Sequence, residues 1–253
     1  MSKTHLVIPD SHATPGKSNR RAEWVGRLIN EVKPDVVINL GDSADMPSLC
    51  SYDHGKKSFI GRTYAKDIEV HGDFQERLWN TVRKSKRKLP RRITLIGNHE
   101  QRIDRAIETQ PELEGVIGYS DLCLGDFYDD VVHYEGSTPG SIEVDGITYA
   151  HYLVSGISGR PISGEHHAYS LLAKKFSSCV VGHSHTLDWC VRTRQNGKKI
   201  SGLVAGCYQE HTSDFAGEAN KLWWRGVCIL RNVEDGVYDL ETVSLDYLKK
   251  NYS

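Results

Sequence analysis

What the chain lacks narrows its reading first. No apolar stretch approaches the length that crosses a bilayer, and Met1-Ser2-Lys3-Thr4-His5-Leu6 runs straight into a strand-like segment without a signal-peptide core. The six cysteines, at positions 50, 123, 179, 190, 207 and 228, form no CxxC pair and follow no regular spacing. That argues against a thiolate zinc site or a disulfide scaffold and reads as reduced thiols in a cytoplasmic protein. Net charge is almost nil, 32 basic against 33 acidic residues giving −1. Global electrostatics therefore select no polyanionic partner, and any grip on nucleic acid has to be local. Internal repeats and low-complexity linkers are absent too, so residues 1–253 read as a single domain.

Hydrophobic spacing supplies the elements. His5-Leu6-Val7-Ile8, Asp35-Val36-Val37-Ile38-Asn39-Leu40 and Arg92-Ile93-Thr94-Leu95-Ile96 are short apolar runs that read as buried strands. Trp24, Val25, Leu28, Ile29 and Val32 recur at helical spacing until Pro34 stops them. This βαβ opening implies parallel strands, which offer ligand sites at their carboxyl ends. Residues 46–72 are polar and read as a long excursion, a cap or insertion, before a helix with Phe74, Leu78 and Val82 on one face. A helix to about Glu108 follows the third strand, and residues 109–140 have no clear period. Asp145-Gly146, flanked by Ile142, Val144, Ile147 and Tyr149, predicts a hairpin. A helix near 165–176 leads to the strand Ser178-Cys179-Val180-Val181. Residues 187–194, 199–205, 223–231 and 237–244 then read as antiparallel strands.

Histidine is the anomaly, with twelve in the chain. Five short segments, each after an apolar run, concentrate metal-ligating residues: Asp10-Ser11-His12, Gly41-Asp42, Gly97-Asn98-His99-Glu100, His151 and Gly182-His183-Ser184-His185. Singly, each is more often a surface turn than a ligand set. Five in sequence, all at strand ends, point to one shared centre. Asp10 and His12 are two apart, so an extended chain projects them onto one face. Asp42 can bridge two cations, one with each oxygen, while Asn98 offers an amide oxygen and His151, His183 and His185 offer imidazoles. The glycines before Asp42, Asn98 and His183 read as sharp turns at strand tips. Nitrogen and oxygen donors without thiolate suit two divalent or transition metal ions, Mn first, with Fe, Zn or Ni as alternatives. Such a pair lowers the pKa of a bridging water and supports in-line attack of hydroxide on a phosphate ester. His99, beside Asn98, is placed to protonate the leaving alkoxide; a plain hydrogen-bonding role is its bland alternative.

In this order the segments resemble the signature of the calcineurin-like metallophosphoesterase family across residues 10–185, while the last third carries no motif. The resemblance implies an α/β fold, a two-sheet mixed β-sandwich flanked by helices (α/β/β/α). It implies that Asp10, His12, Asp42 and His185 hold one metal and that Asp42, Asn98, His151 and His183 hold the other. It also implies that Asn98 and His99 contact substrate, and that Asp45 orients a metal-bound histidine.

One departure bears on the substrate. Protein phosphatases of this superfamily follow Gly-Asp with Val-Asp-Arg-Gly, whereas here Asp42 precedes Ser43-Ala44-Asp45-Met46. The missing arginine favours a phosphodiesterase acting on nucleotide-type or cyclic-nucleotide diesters. The alternatives are a phosphomonoesterase acting on phosphoprotein or nucleotide, and a non-catalytic metal-binding scaffold. Size and the lack of accessory domains suit a bacterial or phage enzyme with a small-molecule substrate and no membrane partner. The basic run Arg83–Arg92 reads as a solvated helix end rather than a nucleic-acid grip. Arg102 reads as a helical salt-bridger or a phosphate contact. His54, His71, His166, His167 and His211 read as surface residues, with entry of His166-His167 into the pocket from the loop after His151 as the alternative, and Trp223-Trp224 read as core or a subunit contact.

Overall fold

The computed structural model describes residues 2–253. The chain opens as β1 (Lys3–Ile8), α1 (Arg20–Val32) and β2 (Val36–Asn39). It continues through α2 (Tyr64–Arg83), β3 (Arg91–Leu95), α3 (Arg102–Thr109), the single turn α4 (Leu124–Phe127) and β4 (Asp130–Val132). The second half holds β5 (Ser141–Val144), β6 (Ile147–Ala150), the small ribbon β7 (Val154–Ser155) and β8 (Arg160–Pro161), α5 (His167–Lys175) and β9 (Cys179–Val181). It closes with β10 (Leu187–Thr193), β11 (Lys199–Ala205), β12 (Gly226–Glu234), β13 (Val237–Ser244) and α6 (Leu245–Tyr252).

Two mixed sheets result. The first runs β13-β12-β1-β2-β3-β4, with β1 to β4 parallel and β12 and β13 antiparallel at one side. The second runs β10-β11-β9-β6-β5, its centre β11-β9-β6 parallel. Alternation along each strand sorts the core into layers. In β1, Val7 joins Ile38, Leu95, Tyr149, Val180 and Leu203 between the sheets, whereas Leu6 and Ile8 pack outward with Trp24, Val25, Leu28 and Phe74 of the helices. Cys179, Val181 and Val204 face Ala168, Leu171 and Leu172 of α5 on the far side. The order is helix, sheet, sheet, helix, as the resemblance implied. Each of these fully buried aliphatic side chains stabilises the fold by about 1.5–3 kcal/mol relative to exposure.

Three elements differ from the sequence reading. Helix α2 begins at Tyr64, so only residues 46–63 form the excursion, built from short 3₁₀ turns. Its first turns escaped detection because Asp67, His71 and Gln75, polar residues, occupy its buried face in phase with Phe74 and Leu78. Strand β4 was hidden in the aperiodic stretch 109–140; it is three residues long and only partly buried. Strand β12 starts at Gly226, which leaves Trp223 and Trp224 in the preceding connection.

Candidate metal centre

The five segments all leave the carboxyl ends of parallel strands: β1, β2 and β3 in one sheet, β6 and β9 in the other. The site therefore straddles the rims of both sheets. Past Ile8 the chain is no longer extended: Asp10 (φ 37°), His12 (φ 42°), Asp42 (φ 49°), His183 (φ 68°) and His185 (φ 61°) all adopt left-handed backbone. This corrects the expectation that Asp10 and His12 share a face by strand pleating; tight turns aim them. A non-glycine residue there costs on the order of 1–3 kcal/mol, and such strain gathers where side chains must be aimed.

The glycines have two separate reasons. Gly41 (φ 95°) does turn sharply. Gly97 and Gly182 are small because carboxylates occupy the space of a side chain. A Cβ on Gly97 would lie 2.2 Å from Asp42 Oδ1, and one on Gly182 would lie 2.2 Å from Asp10 Oδ2.

Around this frame the structure brings all seven predicted side chains together. Ligand atoms of Asp10, His12 and His185 lie within 4.8 Å of one another, as do those of Asp42, His151 and His183. Asn98 Oδ1 is 2.9 Å from His151 Nε2. Asp42 connects the halves, its Oδ2 standing 3.9 Å from His12 Nε2 and 3.3 Å from His151 Nε2. His99 falls within the same distance of His12 and Asp42.

Tautomers can be read from the partners. His12 Nδ1 is 3.1 Å from Asp45 Oδ1, and His151 Nδ1 is 2.9 Å from the Leu40 carbonyl, oxygens that accept. These contacts place a proton on Nδ1 of each ring and turn Nε2 toward the centre. His12 Nε2 faces His185 Nε2 at 3.2 Å, and His151 Nε2 faces Asn98 Oδ1 and, at 3.3 Å, His183 Nδ1. These close-set, buried nitrogen and oxygen atoms converge on a common space, which is the donor set a divalent cation takes. The residues present therefore fit metal ions with nitrogen and oxygen donors.

Charge follows the same logic. Burial, with His12 adding to it, holds His185 well below the ordinary imidazole range, and burial with His151 lowers His183 to about 4. Burial also pushes His151 down, but Asp42 and Asp10 overcome it and raise the ring to about 9. Burial raises Asp10, whereas for Asp45 the hydrogen bonds from His12 and His99 outweigh burial and keep the carboxylate ionised.

Residues around the centre hold it in shape. The Glu100 carboxylate accepts from the N–H groups of Asp42 (3.0 Å), Ala44 (2.8 Å) and Gly97 (2.9 Å) and from Ser43 Oγ (3.0 Å), joining the β2 and β3 loops. Arg21 is wholly buried, donating to the carbonyls of Ser11 (2.6 Å), Ser18 (2.6 Å) and Tyr208 (3.0 Å). Its role escaped the sequence reading, although Arg21 stands in phase with Trp24, Val25 and Leu28, a charge on an apolar stripe. His71 and His167 are buried rather than superficial, and His211 lines a cleft. Trp223 is half-buried, and its ring stands 4.4 Å from that of His185.

Asp45 and His99 line that cleft, whose volume is about 910 Å³, together with residues 14–17, much of the excursion and residues 211–213. Arg102 enters it from the start of α3. Its Nη1 donates to the carbonyls of Asp45 (2.8 Å) and Met46 (3.2 Å), and its Nη2 lies 3.2 Å from His99 Nε2. A guanidinium thus reaches the segment whose own motif lacks one.

With strands, rims and donor set in place, the family comparison supplies the class. The family model described as calcineurin-like phosphoesterase matches residues 4–189, and the chain belongs to that family. Members are phosphoester hydrolases with a binuclear divalent metal centre. A comparison with curated proteins finds no match. Among solved structures, the chain is similar to Yfce, a phosphoesterase from E. coli, at 14% identity over 96% of this chain and 99% of that one, with a TM-score of 0.40. It is also similar to TT1561 of Thermus thermophilus, at 11% identity over 96% and 99% of the two chains, with a TM-score of 0.39. No helix of the described residues is long and apolar enough to cross a membrane.

Proposed function

We propose that this protein is a phosphodiesterase in which Asp10, His12, Asp42 and His185 hold one divalent cation and Asp42, Asn98, His151 and His183 hold a second. The observation that carries the reading is the convergence of these seven side chains with their nitrogen and oxygen donor atoms facing one another. A bound pair of such ions, Mn in the first instance, supplies a nucleophilic water at neutral pH and offsets charge on the phosphoryl oxygens. The protein's own groups do the rest. Asp45 orients the His99 ring through Nδ1 (3.0 Å), and Nε2, which stands 3.2 Å from Arg102 Nη2, is the nitrogen we assign to deliver a proton to the leaving oxygen. Asn98 and Arg102 meet the phosphate.

Two features support a diester. Arg102 Nη1 is committed to the carbonyls of Asp45 and Met46, so the guanidinium offers no parallel fork of the kind that grips a dianionic terminal phosphate. The cleft beyond His99 gives room for a second ester arm, and residues 46–63 over it act as the cap that sets specificity. The reading in favour of a monoesterase rests on the same Arg102, since a cation beside His99 also suits a phosphomonoester. Turnover of bis(p-nitrophenyl) phosphate and of p-nitrophenyl phosphate with Mn²⁺ separates them. Diester hydrolysis exceeding monoester hydrolysis is expected. A monoester-only profile rejects the proposal, and no turnover of either supports a metal-binding scaffold instead.

A further inference from the structure

The cleft that opens from His99 is cationic in a chain of net charge −1. Lys17, Lys56, Arg62, Lys66 and Arg102 line it, against Asp45, Asp53 and Asp67. Each of the three acids is already engaged. Asp45 lies between His12 and His99, and Asp53 pairs with Lys56 at 3.0 Å and Arg62 at 2.8 Å. Asp67 is buried and accepts from Ser48 N (2.9 Å) and Oγ (2.6 Å). Lys17 and Lys66, both exposed, have no carboxylate within ion-pair distance among the described residues. Lys66 stands in the first turn of α2, where the helix dipole disfavours a cation unless an anion docks against it. No Phe, Tyr or Trp lines the cleft among the described residues, so it offers charge without a base-stacking platform.

We infer that Lys17 and Lys66 bind a second phosphate of the substrate, so that the substrate is a chain of phosphates rather than an isolated diester. This rests on the reading of the adjoining centre as the place of the scissile phosphate. The partner chemistry is a sugar–phosphate backbone or a polyphosphate, recognised by charge and not by base.

The test is equilibrium binding of a fluorescent short oligothymidylate to the full chain in EDTA, so that nothing is hydrolysed and turnover is not the readout. The Lys17→Ala/Lys66→Ala double variant is expected to bind about tenfold more weakly at low salt, and its salt slope to fall by about 0.7 through loss of one neutralised phosphate. Lys84→Ala/Lys88→Ala, in the basic run at the opposite end of β3, serves as the comparison and is expected to bind like the parent. Displacement by tripolyphosphate identifies a polyphosphate ligand; displacement only by unlabelled oligothymidylate identifies a nucleic-acid backbone. Undetectable binding by the parent overturns the inference. So does unchanged affinity in the Lys17/Lys66 variant, transfer of the loss to the Lys84/Lys88 variant, or equal affinity for thymidine monophosphate. A parent that binds here but turns over no ester rejects the phosphodiesterase reading alone.

Discussion

The Glu100 carboxylate accepts the backbone N–H of Asp42 at 3.0 Å, and with the same oxygen that of Gly97 at 2.9 Å, so one buried side chain sets the spacing of two loops of the centre. Glu100→Gln keeps the volume but turns an amide N–H₂ toward groups that donate. Metal affinity should fall by roughly 10–100-fold, and stability by about 1–3 kcal/mol. Calorimetric titration of Mn²⁺ and urea denaturation measure the two effects. Unchanged affinity would remove Glu100 from the architecture of the site.

Gly97→Ala and Gly182→Ala place a methyl where Asp42 and Asp10 keep their oxygens. Both variants should lose bound metal while remaining folded. Gly72→Ala is the matched comparison: it lies in α2 with nothing within 4 Å of the added Cβ. It should stabilise by up to about 1 kcal/mol, since alanine restricts the unfolded chain and favours helix. Metal analysis and thermal melts of the three distinguish site geometry from general intolerance of substitution.

Arg21 carries a buried charge satisfied by three carbonyls and set 5.1 Å over the Phe74 ring. Arg21→Met leaves those carbonyls unpaired and should destabilise by about 3 kcal/mol or more. The loss should appear in denaturant midpoints. A neutral result would mean that the loop holding Ser11 is fixed by other contacts.

His71 gives a pH dependence with a defined sign. Burial lowers its pKa to about 4 from an unfolded value near 6.5. The unfolded chain then binds the extra proton first, so the stability tied to neutral His71 is complete above pH 6.5 and lost as pH falls toward 4. The amount is at most about 3 kcal/mol. Denaturation of the parent and of His71→Gln across pH 4–7 should show the parent's relative advantage shrinking over that window; a constant difference would contradict it.

His99→Ala should leave metal content nearly intact and lower kcat by roughly 10²–10⁴-fold, the size of a lost general acid. A leaving group of low pKa, which needs no proton, should recover much of the rate. Equal losses for good and poor leaving groups would reduce His99 to a structural hydrogen-bonder.

Much of this was legible in the chain because apolar strands and their polar tips are local signals. Val36-Val37-Ile38 followed by Gly41-Asp42 announces a buried strand and what it delivers, and the same holds for Val180-Val181 and Gly182-His183. The supports were not legible, since their roles depend on which elements pack together. Glu100 gave no sign that it would reach the N–H of Asp42, 58 residues away in sequence. His71 and Gln75 obscured the start of α2 because polar residues on a buried face imitate a loop. Arg102 stood in for an arginine missing from the Asp42 segment, and only the approach of α3 to Asp45 and Met46 could reveal it.

The most direct test of the central claim is Mn²⁺ titration of the metal-stripped chain, followed by electron paramagnetic resonance. Two ions per chain with an exchange-coupled spectrum, lost in Asp42→Asn, are the predicted result for cations sharing one carboxylate. Uncoupled ions, or binding that survives loss of Asp42 unchanged, would contradict it.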